Sequence, residues 1–299
     1  MAKDKVQILS PAKVNLTLEI GSRRPDGYHE IDSIVQTIDL ADTLFVESAP
    51  PGVLELTIHG ADIPSDNENF VLKAAREFFE AARIKGGARF RLTKRIPVKA
   101  GLGGGSSNTA AALIALNALY ATNMTRDVLS SLALRVSSDA GLFMYGGTLR
   151  MRGRGDVIHQ LPDAPRMHLV IVKPECAVST RWAYELLDQV GPRTQLGRTD
   201  QAEAAARVAD KLNLIESFAN DFDSIITSRF PEVAEAKRLL AETGAVQSML
   251  CGSGSAVFGV YENEQLANNA ACRLRSSFAE VFSCRTLSRA ECMEMMTPR

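Results

Sequence analysis

The sequence predicts an α+β protein made of two lobes with a cleft between them. Three observations support this: strand-like runs dominate the first 60 residues, a glycine-rich loop then opens a helix dense in alanine and leucine, and the later part of the chain is mostly helical. The residue pattern changes from mostly strand-like to mostly helical at Pro162-Asp163-Ala164-Pro165. Proline-rich turns commonly separate structural units. We therefore predict an N-terminal lobe over residues 1–162 and a C-terminal lobe over residues 163–299.

Alternating or β-branched runs predict the strands of the N-terminal lobe. These strands cover residues 6–9, 14–20, 34–38, 43–46, 54–58 and 88–92. Apolar spacing predicts a helix over residues 66–83 with Asp66 as its N-cap. Two further helices are predicted over residues 108–120 and 125–136, the second capped by Thr125. Residues 141–161 are predicted to form a glycine-containing hairpin.

The C-terminal lobe is predicted to combine four helices with three short strands. The helices cover residues 180–189, 200–218, 231–243 and 264–277. The strands cover residues 168–172, 248–250 and 256–261, and the last two flank the turn Cys251-Gly252-Ser253-Gly254-Ser255. We find no internal repeat and no low-complexity segment.

Composition narrows the class of function. The 299 residues are 45% hydrophobic, as in packed globular proteins, and the net charge of −1 offers no broad basic surface for nucleic acid or an anionic membrane. We detect no secretion signal at the N-terminus and no apolar run long enough for a membrane span. The five cysteines are scattered, and no C-x-x-C pair occurs, which argues against a disulfide framework and a zinc site. We expect a cytoplasmic protein without a structural metal.

A glycine loop is the strongest chemical signal. It reads Pro97-Val98-Lys99-Ala100-Gly101-Leu102-Gly103-Gly104-Gly105-Ser106-Ser107. Glycines let the backbone approach an anion, and the helix that follows points its free N–H groups and positive dipole end at the loop. The loop has neither the lysine of a Walker A motif nor the spacing of a dinucleotide fingerprint. A flexible linker is the alternative, but the helix starts at once. We predict a phosphate-binding loop.

Three motifs, in this order, resemble those of the GHMP kinase superfamily. They are Ser10-Pro11-Ala12-Lys13-Val14-Asn15-Leu16, the glycine loop, and Leu250-Cys251-Gly252-Ser253-Gly254-Ser255-Ala256. The triple glycine and Arg24-Pro25-Asp26-Gly27-Tyr28-His29 are similar to the superfamily member of the non-mevalonate isoprenoid pathway. The resemblance spans about residues 8–261. It implies the two-lobed fold of these kinases, with an N-terminal ATP-binding lobe, a C-terminal α/β lobe and a cleft between them.

The resemblance implies a catalytic pair. Asp139 matches the family's catalytic aspartate and would accept the proton of the acceptor hydroxyl. Lys13 would keep this carboxylate ionised and stabilise charge on the attacking oxygen. The family carries Val-Pro after the aspartate, whereas this chain has Ala140-Gly141. From the residues alone, a turn aspartate and a solvated strand lysine remain the commoner interpretations.

The resemblance also implies how ligands bind. ATP with Mg²⁺ would sit on residues 97–107, and a cytidine diphosphate-linked polyol would be the acceptor. The acceptor's residues would be Asn15, Tyr28, His29, Tyr184, Gly252, Ser253 and Gly254, with Trp182 as an alternative to Tyr184. Arg150, Arg152 and Arg154 alternate along the predicted hairpin, a pattern typical of a solvated face.

Three questions remain open from the sequence. The acceptor could be a simpler alcohol, such as a relative of mevalonate or homoserine, although the Tyr28-His29 pair argues against that. A ligand sensor without catalysis could use the same fold, although both Lys13 and Asp139 are present. The protein could be a monomer or a homodimer.

Overall fold

The computed structural model describes residues 4–190 and 197–299, and its larger sheet is organised around one long strand, β3 (His29–Ala49). β3 pairs antiparallel with four other strands. The other strands of this sheet are β1 (Lys5–Asn15), β2 (Thr17–Arg23), β4 (Leu54–His59), β5 (Gly87–Thr93), β6 (Thr148–Gly153), β7 (Val157–Gln160) and β9 (Ala219–Asn220). The prediction of two separate strands at 34–38 and 43–46 was wrong, because an irregularity opposite Pro11 and Ala12 bends β3 without ending it.

Three helices and a short 3₁₀ turn cover the N-terminal part of this sheet. They are α1 (Phe70–Ala82), α2 (Gly104–Leu119), α3 (Arg126–Val136) and the turn Ala140–Met144. Asn69 caps α1 by accepting from the Val71 N–H, so the predicted Asp66 cap was wrong; Asp66 instead accepts from Glu68 in the preceding turn. The Thr125 cap of α3 is confirmed. α2 begins four residues earlier than predicted, inside the glycine loop.

The C-terminal part contains a four-stranded antiparallel sheet with the order β10-β11-β8-β12. These strands are β8 (His168–Lys173), β10 (Gln247–Leu250), β11 (Val257–Tyr261) and β12 (Glu280–Arg285). The helices are α4 (Thr180–Val190), α5 (Arg198–Arg207), α6 (Lys211–Glu216), α7 (Asp223–Arg229), α8 (Pro231–Glu242), α9 (Glu264–Leu274) and α10 (Arg289–Met295). The single predicted helix over 200–218 was wrong: Ala209 has a left-handed φ of 55°, and Asp210 caps a new helix.

Three apolar clusters form the core, and the middle one joins the two sheets. It contains Val14 and Ile34 of the larger sheet together with Ile171 and Phe258 of the smaller sheet. The boundary at residue 162 stays a prediction. The end of the chain returns to the N-terminal part, where Cys292 is buried in its core cluster. No helix within residues 4–190 and 197–299 has the length and apolar character needed to cross a bilayer.

Candidate active site

A cavity of about 1050 Å³ is lined by residues from both parts of the chain. Its walls are formed by residues of the glycine loop, the first motif, the start of β3 and α4. Two predicted residues do not line it. Ser107 is fully buried and accepts from the hydroxyl of Ser10 at 2.8 Å, and Gly254 faces Leu250 behind the turn. The other predicted site residues line this cavity.

Lys13 and Asp139 meet in this cavity. The Lys13 Nζ lies 3.9 Å from the Asp139 Oδ2, and the lysine side chain is 6% exposed whereas the aspartate side chain is 37% exposed. Lys13 lies on β1 opposite Thr37 of β3. A buried ammonium thus faces a carboxylate that remains open to the cavity. The distance suits a direct charge interaction but is too long for a hydrogen bond between the two groups.

A chain of hydrogen bonds fixes the Lys13 side chain. Its Nζ donates to the Asn15 Oδ1 at 2.6 Å, on the same face of β1. The Asn15 amide in turn donates to the Ser33 hydroxyl at 2.8 Å. Because each partner is itself buried and bonded, the ammonium has little freedom to leave the cavity.

The three motifs make direct contact around Lys13. Its backbone N–H donates to the Leu102 carbonyl in the glycine loop at 3.0 Å. Gly101 has φ +75°, and a Cβ there would lie 1.7 Å from the carbonyl oxygen of Cys251. Only glycine can occupy that position without moving one of the two loops. The first, second and third motifs therefore form one packed unit, although they are far apart in the sequence.

The Ala140-Gly141 pair after the aspartate is accommodated by ordinary helical backbone. Residues 140–144 form the 3₁₀ turn, and Gly141 does not adopt a positive φ. A Cβ on Gly141 would lie 3.0 Å from the Ile158 Cδ1 and 3.1 Å from the Leu134 Cδ2. Glycine at this position therefore serves close packing, and the departure from the family's Val-Pro leaves Asp139 facing the cavity.

The glycine loop presents the N-terminus of α2 to the cavity. Gly103 precedes the helix with φ 70°, and it has no side chain to cap the first N–H groups. Those groups remain available to a ligand. The Ser106 hydroxyl also lines the cavity and lies 2.7 Å from the Ser137 hydroxyl. Backbone amides, a helix dipole and a hydroxyl are the groups that favour an anion.

A buried ionic cluster supports this loop, and the sequence analysis missed it. Lys94 contacts the fully buried Asp42, whose other oxygen accepts from the Arg95 and Ile96 N–H groups at 2.7 and 2.8 Å. Asn108 of α2 donates to the same carboxylate at 2.9 Å. The Lys94 Nζ lies beside Gly104 in the cavity wall. The position of Lys94, three residues before the glycine loop, could have suggested a role near that loop. Nothing in the sequence indicated that Asp42 is its partner.

A second group of side chains lies where the acceptor is predicted to bind. We call Tyr28, His29, Tyr184 and Asp188 the acceptor pocket. The His29 and Tyr184 rings stack at 4.9 Å with an interplanar angle of 21°, and the His29 Nε2 lies 2.7 Å from the Asp188 Oδ1. Tyr28 is 56% exposed. The sequence analysis did not identify Asp188.

Two interpretations of neighbouring residues can now be corrected. Trp182 does not line the cavity and packs edge-on against Phe230, so the geometry favours Tyr184 of the two. The interpretation of the hairpin arginines as a solvated face is wrong for Arg150 but agrees with Arg152 and Arg154, whose side chains are 47% and 46% exposed. Arg150 is buried against three carboxylates, and Arg154 lines the cavity with its guanidinium 5.6 Å from the centre of the Tyr28 ring. Alternation alone could not reveal these acidic partners.

Burial sets the protonation of two neighbouring groups. It raises the pKa of the Cys251 thiol to about 12, although the Lys13 ammonium opposes this shift. The thiol therefore stays neutral and is a poor nucleophile at neutral pH. Burial also raises the pKa of Tyr184, and the charge of Asp139 adds to the effect. Tyr184 thus remains a neutral ring near the Asp139 carboxylate.

Comparisons with known proteins agree with the motifs. The profile of the GHMP kinases N terminal domain matches residues 69–147, and that of the GHMP kinases C terminal domain matches residues 200–280. A relative from Pelotomaculum thermopropionicum, named 4-diphosphocytidyl-2-C-methyl-D-erythritol kinase, is 36% identical over 95% of this chain and 98% of its own length. A relative of the same name from Moorella thermoacetica is 38% identical over 95% of this chain and 100% of its own length.

Solved structures show the same fold. A crystal structure of 4-(cytidine 5′-diphospho)-2C-methyl-D-erythritol kinase is 33% identical and superposes with a TM-score of 0.78, covering 94% of this chain and 98% of that one. A homoserine kinase from Cytophaga hutchinsonii has a TM-score of 0.79 at only 19% identity, covering 99% and 97% of the two chains. The second likeness is one of fold alone. With two matching domain profiles and relatives that are similar over nearly their whole length, the chain belongs to the GHMP kinase family.

Proposed function

We propose that the protein transfers the γ-phosphoryl group of ATP to the 2-hydroxyl of 4-diphosphocytidyl-2-C-methyl-D-erythritol, giving the 2-phosphate and ADP. The observation that carries this proposal is the meeting of Lys13 and Asp139, at 3.9 Å, beside the glycine loop in one cavity. The relatives named for this reaction are similar over nearly the whole chain, which supports the cytidine-linked acceptor. The reaction would supply a step of isoprenoid biosynthesis.

The residues divide the work of phosphoryl transfer. Amides of the glycine loop and the N-terminus of α2 hold the triphosphate, since they concentrate positive potential there. Asp139 accepts the proton of the acceptor hydroxyl while that oxygen bonds to the γ-phosphorus. The bond from this phosphorus to the bridging oxygen breaks, and ADP leaves with its electron pair. Lys13 stabilises the charge that moves between these groups.

Mg²⁺ is the metal expected for such a reaction, and the donors in the cavity fit it. They are oxygens, from the Ser106 hydroxyl and from the Glu68 carboxylate, and Mg²⁺ prefers oxygen ligands. No group of three metal-binding side chains occurs within residues 4–190 and 197–299, so most ligands would come from phosphate and water. The ion would neutralise charge on the triphosphate when bound.

The acceptor pocket supports a nucleobase at the far end of the acceptor. The rings of Tyr28, His29 and Tyr184 offer flat apolar faces for stacking. Arg154 also lines the cavity, with its guanidinium 5.6 Å from the centre of the Tyr28 ring. A cation beside this ring would pair with the diphosphate of the acceptor.

The location and assembly of the protein are parts of the same proposal. All five cysteines are free thiols, which supports activity in the reducing cytoplasm. The chain would act as a monomer or a homodimer.

An ADP-release assay with three acceptors tests the proposed function. The purified protein is given Mg²⁺-ATP with the cytidylylated methylerythritol, with mevalonate or with homoserine. We expect kcat/KM to be at least about 100-fold higher for the cytidine-linked acceptor, since a pocket that pairs with a polar ligand group rejects molecules lacking it. Higher activity with either simpler alcohol would contradict the proposal. Nucleotide binding without ADP formation from any acceptor would favour a sensor.

A further inference from the structure

Ser33 of β3 lies behind Asn15, at a place where the larger sheet is irregular. The register of pairing with β3 moves by one residue between β1 and β2, and such an irregularity leaves backbone groups outside the regular ladder. Side chains bond to these groups here. The Ile34 N–H donates to the Thr17 hydroxyl at 2.9 Å, and the Ser33 hydroxyl donates to the Thr17 carbonyl.

The chemistry of these groups fixes the direction of each hydrogen bond from Thr17 to Lys13. The Thr17 carbonyl can only accept, so the single hydroxyl proton of Ser33 is used there. Ser33 must then accept from Asn15, and the amide nitrogen Nδ2 donates to it at 2.8 Å. The oxygen of the same amide is thereby left for the Lys13 ammonium, which donates to it at 2.6 Å. One backbone carbonyl thus determines how Asn15 is oriented beside Lys13.

Burial makes this orientation depend on Ser33. Ser33 and Thr17 are fully buried, and Asn15 is only 6% exposed. Thr17 is also held from α5, since its hydroxyl accepts from the Thr199 hydroxyl at 3.0 Å. Without the Ser33 hydroxyl, the Asn15 amide nitrogen would lose its partner in a place that water hardly reaches, which is costly. The amide would then be free to turn its N–H groups toward the ammonium, and two donors cannot bond to each other.

We infer that Ser33 is a positioning residue, which orients the Asn15 amide so that the Lys13 ammonium stays beside Asp139. The inference rests on the proposed function. The ammonium lies 3.9 Å from the Asp139 Oδ2, which is beyond hydrogen-bond distance, so the short contact with Asn15 is the one that fixes it. Ser33 has no exposed surface. It therefore touches neither the acceptor nor ATP, and it acts through Asn15.

The Ser33→Ala variant tests this inference in the proposed reaction. We expect kcat to fall roughly 10- to 100-fold, with KM for ATP within about twofold of the wild-type value, since a small displacement of a catalytic group slows the reaction strongly. Ser217→Ala is the matched control. Ser217 is also buried, its hydroxyl donates to the Leu214 carbonyl at 2.6 Å, and it lies outside the cavity, so both constants should stay unchanged. A wild-type kcat in Ser33→Ala would overturn the inference.

Two further comparisons separate positioning from packing. Ser33→Thr keeps the hydroxyl, so its kcat should stay within about threefold of the wild-type value. A loss as large as that of Ser33→Ala would trace the effect to packing and overturn the inference. In a Lys13→Met background, adding Ser33→Ala should lower kcat by less than about twofold, because residues that act as one unit do not have additive effects. A full additional loss in the double variant would show that Ser33 does not act through Lys13.

An NMR measurement makes the inference independent of turnover. Buried, hydrogen-bonded groups exchange their protons slowly with water, so the Lys13 ammonium should give a ¹H–¹⁵N signal, which Lys13→Met identifies by its loss. We expect this signal in the wild type and in Ser217→Ala, and its loss in Ser33→Ala. A signal that is absent from the wild type, or unchanged in Ser33→Ala, would overturn the inference even if the kinase reaction is confirmed. If the cytidine-linked acceptor is not phosphorylated but these results hold, the proposed reaction fails and the positioning of Lys13 stands.

Discussion

The glycine loop and the acceptor pocket line the same cavity, but they are built in different ways. The loop consists of backbone positions fixed by close packing, as where Gly101 meets the Cys251 carbonyl. The acceptor pocket consists of side chains brought together from β3 and α4, and Tyr28 in it remains 56% exposed. In the proposed function the loop holds the phosphate chain of ATP, whereas the pocket determines which acceptor is used.

The comparison explains why the fold does not reveal the acceptor. A homoserine kinase with 19% identity superposes as well as the 4-(cytidine 5′-diphospho)-2C-methyl-D-erythritol kinase with 33% identity, at TM-scores of 0.79 and 0.78. Because kinases named for different acceptors share this backbone geometry, the geometry alone does not identify the acceptor. We propose that specificity depends on side chains of the acceptor pocket, such as His29, which superposition of backbones does not compare.

The largest effect should come from the catalytic pair, which belongs to neither region. Asp139→Asn removes the proton acceptor but keeps the size of the side chain, so we expect kcat to fall roughly 10²–10⁴-fold. Nucleotide affinity should stay near the wild-type value. Steady-state kinetics and nucleotide titration of the same preparation measure both quantities. Wild-type turnover in this variant would remove Asp139 from the mechanism.

The second-largest effect on activity should come from a change in the glycine loop, which we call the backbone-built region. Gly101→Ala places a Cβ 1.7 Å from the Cys251 carbonyl oxygen, so both loops must move. We expect kcat/KM for ATP to fall about 100-fold, in line with the sensitivity of positioning effects to shifts of about 1 Å. The fall should be accompanied by a lower melting temperature.

Gly244→Ala is the matched control for this change. Gly244 also has a positive φ, of 94°, but no atom lies within 4 Å of its would-be Cβ. It should cost only the backbone strain of about 1–2 kcal/mol and leave the kinetic constants unchanged. Equal loss of activity in both variants would show that strain, and not the contact between the motifs, is responsible.

A change in the acceptor pocket, which we call the side-chain-built region, should have a smaller effect on activity, and this effect should be specific to the acceptor. Tyr184→Ala removes the ring that stacks on His29, and aromatic pairs contribute about 0.5–1.5 kcal/mol beyond their buried area. We expect KM for the acceptor to rise roughly tenfold with KM for ATP unchanged. Trp182→Ala, on the same helix but outside the cavity, should leave both constants unchanged. A rise in KM for ATP with Tyr184→Ala would argue against separate regions.

The smallest effect should be on stability alone, at the contact that ties α5 to the larger sheet. The Arg150 guanidinium donates to Glu203 at 2.6 Å and holds the pKa of this carboxyl below its ordinary value of 4.5. Since the pKa is depressed in the folded state, the stabilisation is present above the unfolded value and is lost as pH falls through the folded value. Glu203→Gln should cost about 1–2 kcal/mol at neutral pH.

Urea unfolding at several pH values measures this effect. The difference between wild type and Glu203→Gln should shrink as pH drops below about 4. Glu235→Gln is the control, because Glu235 pairs with Arg238 on the surface, where an ion pair contributes little. A difference that grows in acid would contradict the assigned sign.

The sequence allowed more of the backbone-built region to be predicted than of the side-chain-built region. Glycine spacing and the helix that follows have a local cause, so the phosphate loop followed directly from the residues. The Asp42–Lys94 and His29–Asp188 contacts join residues 52 and 159 positions apart, and no local pattern encodes such pairs. The predictions of two helix ends were wrong for the same reason. The hydrogen bond by which Asn69 caps α1 and the left-handed backbone of Ala209 depend on the folded surroundings.

The most direct test of the central claim is ³¹P NMR of the wild-type protein with Mg²⁺-ATP and 4-diphosphocytidyl-2-C-methyl-D-erythritol. The account predicts that ADP and one new phosphate monoester, attached to the acceptor, grow in equal amounts. Formation of ADP with only inorganic phosphate, or no loss of ATP despite bound nucleotide, would contradict the claim that this cavity transfers a phosphoryl group to an alcohol.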